Sequence, residues 1–197
     1  MPEEVQLHTL ASVATASGET IKGARFVARA APIDVHDGAR GAASQVAAAR
    51  AEHDDAVHHG WAYRIGPEPA DFGWSDDGEP VGAAGASILR RIDALALLNV
   101  VVVVSRWGGG QRLSTGDLSK GYTEAARQVL AAARAIVFVP TTVVALRFDY
   151  PDSGPVQGVL AGCRATHEHA DYGEHVDMVV RVRVPLQSQP TEARRAG

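Results

Sequence analysis

The sequence predicts an α+β protein, a two-layer α/β sandwich of helices on a sheet, and three observations carry that expectation. The run Val100-Val101-Val102-Val103-Val104 is short, β-branched and without polar interruption, as a buried central strand must be. Stretches of helical apolar period flank it, at about 83–97 and 116–134. Upstream, residues 22–30 alternate around Phe26 and Val27 in the manner of a strand.

Residues 5–10 form a weaker strand candidate ahead of 22–30. Asp37 stands where an N-cap is wanted, and Ala39, Ala42, Ala43, Val46, Ala47 and Ala49 make a small-residue stripe for a helix ending near Glu52. In residues 59–65, period two puts Trp61, Tyr63 and Ile65 on one face, with 72–74 as hairpin partner beyond a Pro/Gly turn. The loop 75–82 leads into a helix whose inward residues are Ile88, Leu89, Ile92 and Leu95. After the valine strand, a glycine-rich cationic segment opens a long helix with Leu118, Tyr122, Ala125, Ala126, Val129 and Leu130 facing the core. Pro140 separates two strands, 136–139 and 141–148, and marks the expected domain boundary. Beyond it lie one short helix at 152–163 and a hairpin, 164–170 with 175–184. The expected domains are 1–139 and 140–186, with 187–197 a disordered tail.

Composition narrows the function classes. A chain of 197 residues with 46% hydrophobic and 21% charged residues buries an ordinary core, and the valine run is only about a quarter of the roughly 20 residues a membrane helix needs. An acidic start, Met1-Pro2-Glu3-Glu4, argues against an export signal and for the cytoplasm. The single cysteine, Cys163, excludes an internal disulfide and reads as a small buried apolar residue. Nineteen cations against twenty-three acids give a net charge of −4, so contact with nucleic acid requires a local patch.

Three constellations could carry chemistry. Ser75-Asp76-Asp77-Gly78-Glu79-Pro80 concentrates carboxylates on a loop before a helix, as a turn and dipole cap or as ligands for a hard cation such as Mg²⁺. Around Arg106-Trp107-Gly108-Gly109-Gly110, with Arg112, Thr115, Gly116 and Lys120 following, glycines allow close backbone approach and cations surround one aromatic. That combination suits phosphate contact with base stacking, although a plain strand-to-helix turn reads the same way. His53, Asp54, Asp55, His58 and His59 could ligate a metal but lack a clear third ligand in helical register.

Taken in order, four blocks resemble the YigZ/IMPACT family over about residues 22–133. They are His58…Trp61-Ala62-Tyr63-Arg64-Ile65-Gly66; the run from Ser75 to Pro80 with Gly82, Ala84, Gly85, Ile88 and Leu89; Asn99 with the valines and Arg106; and Gly109-Gly110…Leu113, Thr115-Gly116, Leu118 and Tyr122. The resemblance implies a fold similar to the second domain of a small-subunit ribosomal protein and to domain IV of elongation factor G. It also implies a ferredoxin-like carboxy-terminal module similar to domain V of that factor, truncated after Pro185. Val57 and Gly60 stand where the family usually carries Thr and Cys, and Gly116-Asp117 where it carries a glycine pair. Asp117 thereby sets a negative charge beside the expected phosphate site.

The expected function is that of a cytoplasmic binding protein that contacts RNA or the ribosome and modulates translation. Its surface would combine Arg64, Arg106, Trp107, Gly109, Gly110, Arg112, Thr115, Gly116 and Lys120, beside the acidic Ser75, Asp76, Asp77 and Glu79, with His58, Tyr63 and Tyr122 completing the family pattern. One rival is an Mg-dependent enzyme acting on a nucleotide or phosphorylated small molecule, with Asp76, Asp77 and Glu79 holding the ion. Another is a protein-interaction module. No catalytic residue and no membrane partner is assigned.

Overall fold

In the amino-terminal part of the chain the elements run β1 (Leu7–Leu10), β2 (Ala14–Ser17), β3 (Arg25–Pro32), α1 (Gly38–Glu52), β4 (His58–Arg64), β5 (Phe72–Ser75), α2 (Gly85–Ala94), β6 (Val100–Trp107), α3 (Thr115–Ala132) and β7 (Ala135–Phe138). The structure, a computed structural model, describes residues 7–66, 72–108 and 112–183. Gly109, Gly110 and the carboxy-terminal tail lie outside the described residues. The chain divides into two compact units, Met1–Phe138 and Val139–Gly197.

Five strands of the first unit form an antiparallel sheet in the order β2-β3-β6-β4-β5, while β1 and β7 pair in a separate ribbon. β6 is central, and its five valines are all at most 1% exposed. A strand buried along every residue needs cover on both faces. Accordingly α2 and α3 pack on one face, over Phe26, Ala28, Ala30, Ala62, Val100, Val102 and Val104. On the other face α1 covers Ala31, Ile65, Val101 and Val103. This corrects the expectation of two layers: helices sandwich the sheet from both sides. The missing alternation in the valine run was the signal for it.

Trp61, Tyr63 and Ile65 share the α1 face as their spacing predicted, and β5 is the hairpin partner of β4. Of the predicted α1 stripe only Ala42 and Ala49 are buried. All six residues predicted to face the core from α3 do so, and Tyr122 meets Phe26 edge to face at 5.3 Å. α3 starts at a capping box: the Ser114 hydroxyl accepts from the Asp117 N–H and the Asp117 carboxylate accepts from the Ser114 N–H. α2 stops at Ala94, short of the predicted end, and leaves Leu95 half-exposed. The chain turns there through left-handed Ala96 and Asn99, a conformation that Asn adopts more readily than most residues, and the Asn99 side-chain oxygen accepts from the distant Gly66 N–H at 2.8 Å.

The second unit comprises β8 (Thr141–Phe148), a 3₁₀ turn at Tyr150–Asp152, α4 (Ser153–Gly162), β9 (Thr166–Tyr172) and β10 (Val176–Arg183). Its sheet has the order β8-β10-β9, with Leu160 of α4 packed on Val176, Met178 and Val180. Cys163, expected to be buried, is exposed, because it follows the last inward residue of α4 and occupies the helix C-cap.

Candidate functional site

At the end of the first unit's sheet where β6 finishes, the family-pattern residues His58, Glu79, Arg106 and Tyr122 meet. His58 of β4 lies directly opposite Arg106 of β6, on the face covered by α2 and α3. Arg106 is 9% exposed, and its Nε donates to Glu79 Oε1 at 2.5 Å. The Tyr122 hydroxyl of α3 donates to the same oxygen at 2.8 Å. Burial, and then the negative charge of Glu79, raise the Tyr122 hydroxyl far above its ordinary pKa, so it stays a donor. Gly60, beside them on β4, has no room for a side chain: a Cβ would stand 2.7 Å from that of Ala84 and 3.0 Å from the Tyr122 ring.

The acidic turn supplies three carboxylates with three different partners. Asp76 accepts from the backbone N–H groups of Gly82, Ala84 and Gly85 at 2.7–2.9 Å. It thereby caps α2, whose own N-cap position is Ala84 and has no polar side chain. Asp77 accepts from the His59 N–H and pairs with Arg50 of α1. Burial would raise the Asp77 carboxyl, but the His59 N–H and the Arg50 guanidinium outweigh it and hold it below the usual range. Glu79 takes Arg106 and Tyr122, as above. Among the described residues no three His, Cys, Asp or Glu side chains are grouped to hold a metal ion. The turn therefore acts as a hub that ties α1, α2, α3 and two strands together. Asp76→Ala should cost about 2 kcal/mol, the upper end for a helix cap, since three amides lose their acceptor; urea unfolding measures it, and a loss below about 0.5 kcal/mol would show the cap to be dispensable.

His58 and His59 diverge, as neighbours on a strand must. The Nδ1–H of His58 donates to the Asp77 carbonyl at 2.7 Å, which leaves Nε2 without a partner among the described residues. His59 faces α1, buried, with Nδ1 2.9 Å from Ser105 Oγ. Desolvation, then Arg50, lower its pKa and keep the imidazole neutral. His53 ends α1 and meets the Trp107 ring edge-on at 5.1 Å. The three histidines of residues 53–59 are thus divided between the two faces of the sheet.

The surface expected from the sequence comes apart in the same way. Arg106 and Trp107 are consecutive on a strand and point to opposite faces: Trp107 lies under the Arg25 guanidinium at 3.8 Å, on the α1 side. Arg106 is buried against Glu79 rather than spread on open surface. Arg64 lies at the other end of β4, six residues or about 20 Å from His58, and pairs with Asp93. Tyr63 stacks with Trp61 away from the site. Arg112, Thr115, Gly116 and Lys120 stay together and exposed at the start of α3. Asp117, at the same place, is bonded by Lys22 at 2.6 Å and by Ser114, which hold its carboxyl far below the usual range and offset its charge. Sequence reasoning missed the Ser114 cap, although Ser-x-x-Asp was legible there, and missed Arg50 and Ser105, for which no local pattern exists.

Known proteins are similar to this chain in sequence and fold. The model of the Impact N-terminal domain matches residues 22–130. The chain is 32% identical over 169 residues to the IMPACT family member YigZ of Escherichia coli (strain K12), covering 85% of this chain and 80% of that one. It is 35% identical over 164 residues to the IMPACT family member in the pol 5′ region of Thermus thermophilus, covering 82% and 86%. A crystal structure described as that of a hypothetical protein superposes with a TM-score of 0.70 at 32% identity, over 90% of this chain and 85% of that one. Matches that span both sequence motifs and fold at this level make the chain a member of the IMPACT family.

Proposed function

We propose that this is a cytoplasmic binding protein that contacts RNA or the ribosome, through the exposed start of α3, and modulates translation. The reading is supported most by one observation: the family-pattern residues Asp76, Asp77, Glu79, Arg106 and Tyr122 are engaged with one another and with backbone amides, while Arg112, Thr115, Gly116 and Lys120 remain open to solvent. A network bonded to itself holds a surface in shape. The exposed cations, beside the first-turn amides of α3, suit phosphate oxygens. Family membership supports the translational setting. The described strands and helix of the second unit, with α4 between β8 and β9 along the chain and the sheet order β8-β10-β9, support the reading of a ferredoxin-like module. No helix among the described residues is long and apolar enough to cross a membrane.

Sedimentation of cell extract through sucrose tests the proposal. The protein should travel with ribosomal particles at low salt and leave them at high salt. In Arg112→Ala with Lys120→Ala, the slope of log affinity against log salt should fall by about 2 if each cation contacts one phosphate. Free sedimentation at low salt, or an unchanged slope in the double variant, would remove the α3 surface from consideration.

A further inference from the structure

We propose that Arg90 of α2 is a phosphate contact of the same surface, so that the bound RNA strand crosses from the start of α3 over the seam between α3 and α2. The choice of RNA rests on the function proposed above; the place of Arg90 rests on its own geometry. The buried Ser87 hydroxyl of α2 donates to the Gly82 carbonyl at 3.2 Å and lies 2.8 Å from the Ser119 hydroxyl of α3. With its one proton used, Ser87 accepts from Ser119, and its other lone pair accepts from Arg90 Nη2 at 2.9 Å. The Arg90 guanidinium is thus two hydrogen bonds away from α3, where Lys120 follows Ser119.

What sets Arg90 apart is the partner that holds it. Arg29, Arg50, Arg64, Arg106 and Arg127 each face a carboxylate, which offsets their charge. Arg90 is exposed and pairs with no acid among the described residues; a neutral hydroxyl locates its head and leaves the charge in full. Part of the side-chain freedom that an anion contact would remove is thereby already lost before binding. The acids on the two helices close to it in sequence are engaged elsewhere, Asp93 with Arg64 and Asp117 with Lys22. Lys120 is likewise exposed and has no acid partner among the described residues. One undiminished cation from each helix therefore flanks the hydroxyl bridge. A single carboxylate would answer one of them, whereas a strand whose phosphates recur along its length engages both.

Fluorescence anisotropy with an end-labelled RNA decamer, read as log affinity against log salt, tests the inference. In Arg90→Ala the slope should become shallower by about 0.7, the share of one phosphate on a single strand. Alanine is the best helix former, so α2 itself is kept. Arg90→Lys, which keeps the charge, should keep the slope. Arg134→Ala is the control: its cation is exposed, unpaired among the described residues, and just past the end of α3. It stands about 20 Å from Ser119, more than two Debye lengths at physiological salt, and its removal should leave the slope unchanged. An unchanged slope in Arg90→Ala, beside a shallower one in Arg112→Ala with Lys120→Ala, would overturn the inference and leave the α3 surface standing. Equal shallowing by Arg90→Ala and Arg134→Ala would overturn it too, because a general field and not the seam would then hold the strand. Unchanged slopes in every variant would defeat both proposals. A native protein that does not bind the decamer would defeat this inference, and sedimentation would then judge the proposed function alone.

Discussion

Arg106→Met is expected to cost about 3–5 kcal/mol, the largest loss for any single substitution in the first unit outside its apolar core. The side chains of the pair are 11% and 4% exposed, so removing the cation strands the Glu79 carboxylate in a site where water cannot replace it. Tyr122 alone would then hold that charge. Against a typical total stability of about 5–15 kcal/mol, such a loss approaches global unfolding. The double change Glu79→Leu with Arg106→Met should cost clearly less than the two single changes added together, because no charge is left buried and alone. Urea unfolding followed by tryptophan fluorescence is suited to the measurement, since Trp61, Trp74 and Trp107 all belong to the unit Met1–Phe138. A single-variant loss under about 1 kcal/mol would contradict the account of the hub given above.

Gly85→Ala should destabilise the protein by about 3 kcal/mol, against the sign that helix propensity suggests. Gly85 opens α2, where alanine would by itself be favoured by up to about 1 kcal/mol. A Cβ there would stand 2.6 Å from the Ser75 carbonyl oxygen and 2.8 Å from its carbon and nitrogen. Those are backbone atoms of β5 leading into the acidic turn, and they cannot step aside as a side-chain tip can. The same substitution at Gly158, inside α4 with nothing within 4 Å of an added Cβ, supplies the contrast. There alanine should stabilise the second unit by about 0.5–1 kcal/mol. If both substitutions moved stability in the same direction, steric closeness at Gly85 would not be what excludes a side chain.

Residues with local causes were legible before any coordinates. The valines of β6, the helical period of α3 and the alternation of Trp61, Tyr63 and Ile65 each follow from a spacing that depends on near neighbours alone. So did the four blocks that point to the family. Where the reading stopped short, the reason was again specific. The local rule for helix caps examines the residue beside the helix, and α2 is capped by Asp76 from eight positions upstream of Ala84. Arg106 and Trp107 look like one cationic, aromatic patch when written side by side, but the period of a strand sends them to opposite faces.

The order of strands and helices apart from β2 (Ala14–Ser17), the core faces of β4 and α3, and membership of the IMPACT family were thus determined by the chain's own pattern of apolar and glycine positions. Only the tertiary structure decided that α1 covers the second face of the sheet and that Glu79 captures Arg106 across 27 residues. It also decided that, of the sequence-predicted surface cations Arg64, Arg106, Arg112 and Lys120, the last two are the exposed ones. The physical reason is one of range. Periodicity and capping act over a few residues, whereas a buried charge chooses whichever partner packing brings to it.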